Sequence, residues 1–85
     1  MINEVVRSKL PYDALVFDNY AYDNSIIGVS LDGRVIYCFE MMIEELMEED
    51  GISYEEAIEW IEYNTLRSLP YAGEKAPMVV YIERY

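Results

Sequence analysis

Histidine is absent from this 85-residue chain, cysteine occurs once, and lysine and arginine together number six. Without histidine there is no imidazole to serve as base for a serine or cysteine nucleophile. A lone cysteine, Cys38, can build neither an internal disulfide nor a zinc site, and it needs no oxidising compartment. The basic residues Arg7, Lys9, Arg34, Arg67, Lys75 and Arg84 are scattered and form no patch for phosphate. Apolar runs are only a few residues long, far short of the ~20 needed to span a bilayer. The start, Met-Ile-Asn-Glu-Val-Val-Arg, lacks the basic and then apolar pattern of a signal peptide. The glycines at 28, 33, 51 and 73 are isolated and form no phosphate-binding loop. These absences lead to the expectation of a cytoplasmic non-enzyme without cofactor or metal.

What the chain has in quantity is acid. Asp and Glu number 17, for a formal net charge of -11. Ten of them lie between Val35 and Leu66, where no Lys or Arg occurs: Glu40, Glu44, Glu45, Glu48, Glu49, Asp50, Glu55, Glu56, Glu59 and Glu62. A surface of one sign repels nucleic acid and acidic membranes and attracts cations or basic protein surfaces. Hydrophobic residues nonetheless make up 53% of the chain, nine tyrosines included, which is too apolar for a disordered acidic tail. The expectation is one folded domain over residues 1–85.

The order of elements can be read from changes of period. The first dozen residues end near Pro11, which would break a short helix begun at Glu4. Ala14–Phe17 is a short apolar run that suits an additional strand, and Asp18–Asn24 is a polar, aromatic loop with turn-forming Asx residues. Two β-prone runs, Ser25–Leu31 and Arg34–Phe39, flank Asp32-Gly33, the signature of a hairpin with a two-residue type I′ turn. Ile27, Val29 and Leu31 then share one face of the first arm, with Ile26, Gly28 and Ser30 on the other.

From Phe39 the period becomes 3.6. Phe39, Met42, Ile43, Leu46 and Met47 form a buried stripe, and Gly51 suits the helix C-terminus. Ser53 and Glu56 form a capping box for a second helix, whose inner face is Ala57, Ile58 and Ile61 and which fades before Pro70. Residues 71–77 form a loop and Met78–Ile82 a last strand. The predicted fold is α+β, ordered β-β-(β)-α-α-β: two acidic helices on one face of a small antiparallel sheet made of the hairpin and the C-terminal strand.

The candidate partner-binding residues are Glu40, Glu44, Glu45, Glu48, Glu49, Asp50, Glu55, Glu59 and Glu62. Glu40, Glu44 and Glu48, and likewise Glu45 and Glu49, repeat at i, i+4, where like charges each cost about 0.2 to 0.5 kcal/mol. Glu48, Glu49 and Asp50 also sit at the negative end of a helix dipole. Stability alone favours basic residues there. Carboxylates along such a face recur every ~6 Å, four steps of the helical rise. They could imitate a phosphate row toward a basic groove; the plainer reading is a solvated helix face. Asp18–Asp23 and Glu48–Gly51 are oxygen-rich but do not fit a calcium loop. Cys38, in an apolar strand, reads as a buried inert thiol. Among the tyrosines, Tyr20, Tyr22 and Tyr71 are the candidates for a contact cluster.

Apolar residues on both sheet faces suggest an alternative, a homodimer formed through the face the helices leave open, notably Ile26, Ile36, Met78, Val80 and Ile82, unless residues 2–10 cover it. The Asp-Gly hairpin, Phe39–Gly51, Glu55–Thr65 and Leu69-Pro-Tyr71, taken in order, resemble an uncharacterised family of small acidic proteins of Gram-positive bacteria, their phages and integrated elements. The likeness spans residues 23–81 and implies fold boundaries, with no activity and no catalytic residue attached. In size and acidity alone the chain is also similar to phage-encoded inhibitors that imitate DNA.

Overall fold

A computed structural model describes residues 9–11 and 13–82. The elements are a 3₁₀ segment Tyr20–Ser25, strands β1 (Ile26–Val29) and β2 (Val35–Cys38), helices α1 (Phe39–Asp50) and α2 (Tyr54–Asn64), a second 3₁₀ segment Leu66–Tyr71, and strand β3 (Met78–Val80). The fold is α+β, with a three-stranded sheet in the order β1-β2-β3. A short helix begun at Glu4, and the cover of the sheet by residues 2–8, lie outside the described residues.

Both helices are built as their sequences require. Phe39, Met42, Ile43 and Leu46 are buried along α1, and Gly51 ends the helix in the left-handed region at φ 67°, its N–H donating to Met47 O at 2.9 Å. Both arms of the capping box are present in α2: Ser53 Oγ accepts from Glu56 N at 3.2 Å, and Ser53 N donates to Glu56 Oε1 at 3.1 Å. Ala57 and Ile61 are its buried residues. α1 packs on β2, on the first 3₁₀ segment and on α2. The core gathers Val35 and Tyr37 from β2 with Met42, Ile43 and Leu46 of α1 and Ala57 and Ile61 of α2.

The sheet departs from its expected form in four ways. First, the C-terminal strand is parallel to β2, not antiparallel, so the sheet is mixed: Ile36 pairs with Met78, Tyr37 with Val79 and Cys38 with Val80. Alternation along a strand does not encode the direction of its neighbour. The two intervening helices provide the long crossover that parallel pairing needs. Arg34 Nε donates to Ala76 O at 2.8 Å and ties the start of β2 to the approach of β3.

Second, the hairpin turn is not type I′. Gly33 N donates to Ser30 O at 3.0 Å and Ser30 N to Arg34 O at 2.8 Å, so the loop is Leu31–Gly33. Of the turn residues only Gly33 has positive φ, at 86°, and no non-glycine residue of the described chain does. This is the three-residue hairpin in which a type I turn precedes a left-handed glycine. Asp32 accepts from Ser30 Oγ, and its backbone carbonyl accepts from Lys75 Nζ. The Ser30 hydroxyl holds the Asp32 carboxyl below the usual range. Leu31 is carried to the fully exposed tip instead of a strand face.

Third, β1 has an irregularity between Ile26 and Gly28, so Ile26 pairs with Tyr37 while Val29 pairs with Val35. A single extra residue breaks the period of two. Ile26 therefore packs against the core and leaves the open face to which it was assigned, and Ile27 is exposed. Fourth, Ala14–Phe17 is not a strand. Phe17 N donates to the Tyr37 hydroxyl at 3.0 Å instead of entering a ladder, and the two rings lie 4.5 Å apart.

Candidate functional site

The acidic residues follow from the helix period. With α1 turned so that Met42, Ile43 and Leu46 face the core, Glu44, Glu48, Glu49 and Asp50 are exposed, and Glu40 and Glu45 are half-buried at the margins. On α2, Glu55, Glu59 and Glu62 are exposed, as is Glu56 of the capping box. All nine predicted partner-binding residues thus stand on the outer surface or its edge. Among the described residues, no Lys or Arg forms an ion pair with any of them.

Two of the marginal carboxylates have neutral partners. Tyr54 Oη donates to Glu40 Oε1 at 3.4 Å, and the Glu40 charge beside it pushes the Tyr54 hydroxyl above its ordinary pKa of 10.0. Asn24 Nδ2 donates to Glu45 Oε2 at 3.5 Å, joining α1 to the first 3₁₀ segment. The remainder face solvent, and no Lys or Arg of the described residues pairs with them to offset their mutual repulsion. A surface of this kind attracts small cations and the basic side chains of another molecule. Among the described residues, no group of three or more His, Cys, Asp or Glu is arranged to hold a metal ion.

The tyrosine cluster is not as expected. Tyr20 and Tyr71 are exposed, but Tyr22 is a core residue, 2% exposed, with its ring edge-on to Phe17 at 6.1 Å. Asn19 caps the 3₁₀ segment by accepting from Ala21 N at 3.0 Å, and this turn folds Tyr22 under α1. Its hydroxyl is buried without a hydrogen-bond partner of ordinary geometry. Burial pushes the Tyr22 pKa up; the neighbouring Thr65 hydroxyl opposes this, and Asp50 and Glu49 reinforce it. Cys38 is buried and unpaired.

Trp60, on the outer flank of α2, is 52% exposed and lines two hollows. Tyr63, 70% exposed, lies three residues on, with Arg67 Cζ 5.1 Å from its ring centroid. The signal for this flank was present in the helix period. Glu56, Trp60 and Tyr63 follow at i, i+4 and i+7, beside the buried Ala57–Ile61 stripe and not within it. No helix among the described residues is long and apolar enough to cross a membrane. Compared with protein-family models, curated proteins and solved structures, the chain matches none.

Proposed function

We propose that this protein is a non-catalytic interaction module of a bacterium or a mobile element, which binds a basic protein surface through the carboxylates of α1 and α2. The observation that carries this reading is the unpaired acidic surface. The nine candidate carboxylates between Glu40 and Glu62, with Glu56 of the capping box beside them, lie on or at the edge of two adjoining helices with no cation of the described fold to neutralise them. Repulsion at i, i+4 and at the C-terminal end of α1 lowers stability, and a basic partner would relieve both. A sharper form of the same reading is an inhibitor that imitates DNA toward a basic groove. The chain itself is then expected to leave duplex DNA unbound in a gel-shift at moderate salt.

The test is capture of partners from host lysate at two ionic strengths. Binding through exposed charges weakens steeply as the Debye length shrinks from ~10 Å at 0.1 M salt to ~3 Å at 1 M. A partner retained equally at both would overturn the charge-reading role.

A second reading, a homodimer without such a role, is supported by the apolar residues away from the acid. Ile27 and Val29 are exposed on the edge strand β1, and Ile36, Met78 and Val80 are only half-buried. Edge strands of this kind invite pairing with another chain. Sedimentation showing a monomer at high micromolar concentration would dispose of it.

A further inference from the structure

The surface around Trp60 differs from the rest of the acidic face in shape and in chemistry. Two hollows meet there, and Trp60 and Asn64 line both. The larger, about 430 Å³, has Ile52 and Tyr63 as apolar wall and Glu56 and Glu59 as carboxylate rim. The smaller, about 290 Å³, has Asp18 in its lining together with Trp60. Tyr22 and Thr65, both buried, also line it.

From these observations we infer that the two hollows flanking Trp60 are the docking site for arginine side chains of a basic partner segment. The inference rests on the acidic-module reading above and specifies the partner's chemistry. Arginine suits the site in three respects. Its planar guanidinium stacks on an indole face, its fork of donors matches a carboxylate rim, and it is less strongly hydrated than lysine. The fold already contains one such pairing, because Arg67 lies over Tyr63 on the same flank of α2. Among the described residues no cation lies over Trp60 itself. Glu56 or Glu59 on one side and Asp18 on the other can each meet a guanidinium while Trp60 separates the two. An extended segment with arginines on alternate residues presents its guanidinium groups on one face, about 7 Å apart.

Trp60 is the only tryptophan, so its emission reports on this surface alone. The experiment titrates the whole chain with nona-arginine and with nona-lysine at equal, moderate salt, following heat and Trp60 fluorescence. The arginine peptide is expected to bind about three- to tenfold more tightly and to perturb Trp60 emission more strongly, the size of a partly desolvated cation–π contact. Trp60→Ala, with folding checked by circular dichroism, should bring the arginine peptide down to the affinity of the lysine peptide. Trp60→Phe should recover part of the difference. Equal affinities and equal emission changes in the wild-type chain would overturn the arginine site while leaving the acidic module standing. An arginine preference that survives in Trp60→Ala would do the same. If neither peptide binds, both readings fall.

Discussion

The two halves of this molecule solve the same problem under different rules. The helical half, α1 and α2, hides a narrow apolar stripe and presents carboxylates to solvent. The sheet half has little charge on its strands and leaves apolar side chains such as Ile27, Val29 and Ile82 in contact with water. The helices are specified by contacts within a few residues: the capping box at Ser53 and Glu56, the left-handed Gly51, and side chains three and four apart. The sheet is specified by what arrives from elsewhere, as when Met78–Val80 comes back across two helices to lie parallel to β2. The difference teaches that local order and surface chemistry are coupled here. Where the fold is decided locally the surface is free to be extreme; where it is decided by distant partners, the strands stay apolar on both faces.

The strongest way to break this contrast is through the residues that join the halves. Leu46, 1% exposed, sits in the core shared by α1 and β2. Leu46→Ala should cost about 2 to 5 kcal/mol, read by chemical denaturation, with loss of helix and sheet signals in one transition. Two separate transitions would show that the halves are independent.

Next in size is the hairpin glycine. Gly33 lies at φ 86°, and a Cβ there would meet Lys75 Nζ at 3.0 Å, whereas Gly28 has nothing within 4 Å. Gly33→Ala is expected to lose about 1 to 2 kcal/mol, and Gly28→Ala little or nothing. Equal effects would refute the turn described above.

Tyr22→Phe removes a buried hydroxyl with no hydrogen-bond partner of ordinary geometry and should gain about 1 kcal/mol. Its pH dependence has a definite sign. Because the folded-state pKa is raised above the ordinary 10.0, the unfolded chain gives up its proton first. The stability linked to this group is complete below pH 10 and falls as pH rises through the folded pKa. The variant should therefore show a shallower alkaline loss than wild type in thermal melts above pH 9.

The smallest stability change, and the one that bears most on function, concerns the acid. Replacing Glu44, Glu45, Glu48 and Glu49 with Gln removes like-charge pairs and should add about 0.5 to 1 kcal/mol at low salt, vanishing at high salt. If these residues bind a partner, stability rises while capture from lysate is lost, the opposition expected of a binding surface. A variant that keeps full capture would end the acidic-module reading. One that loses stability would show that these carboxylates have favourable partners within the fold.

The balance of what was legible follows from range. Phe39, Met42, Ile43 and Leu46 declare a helix face because their spacing matches one period, and that same period puts Glu44, Glu48 and Glu49 outside. Ile26 misleads, because one irregular residue in β1 reverses which face follows, and nothing in the sequence marks the place. Tyr22 misleads for another reason. An aromatic in a polar Asx-rich segment reads as surface, yet the Asn19 cap turns it inward.

By itself, then, the sequence determined one acidic α+β chain, the ends and inner faces of both helices, and a continuous run of carboxylates free of basic neighbours. All of these depend on residues within a turn or two of one another. Only the tertiary structure decided the parallel pairing of β3, the inward placement of Tyr22 and the two hollows on either side of Trp60. Each of these needs groups far apart in the chain, such as Asp18 and Trp60 or Ile36 and Met78, to meet. No pattern along one segment carries that information, because the free energy that selects it comes from burial shared among all of them.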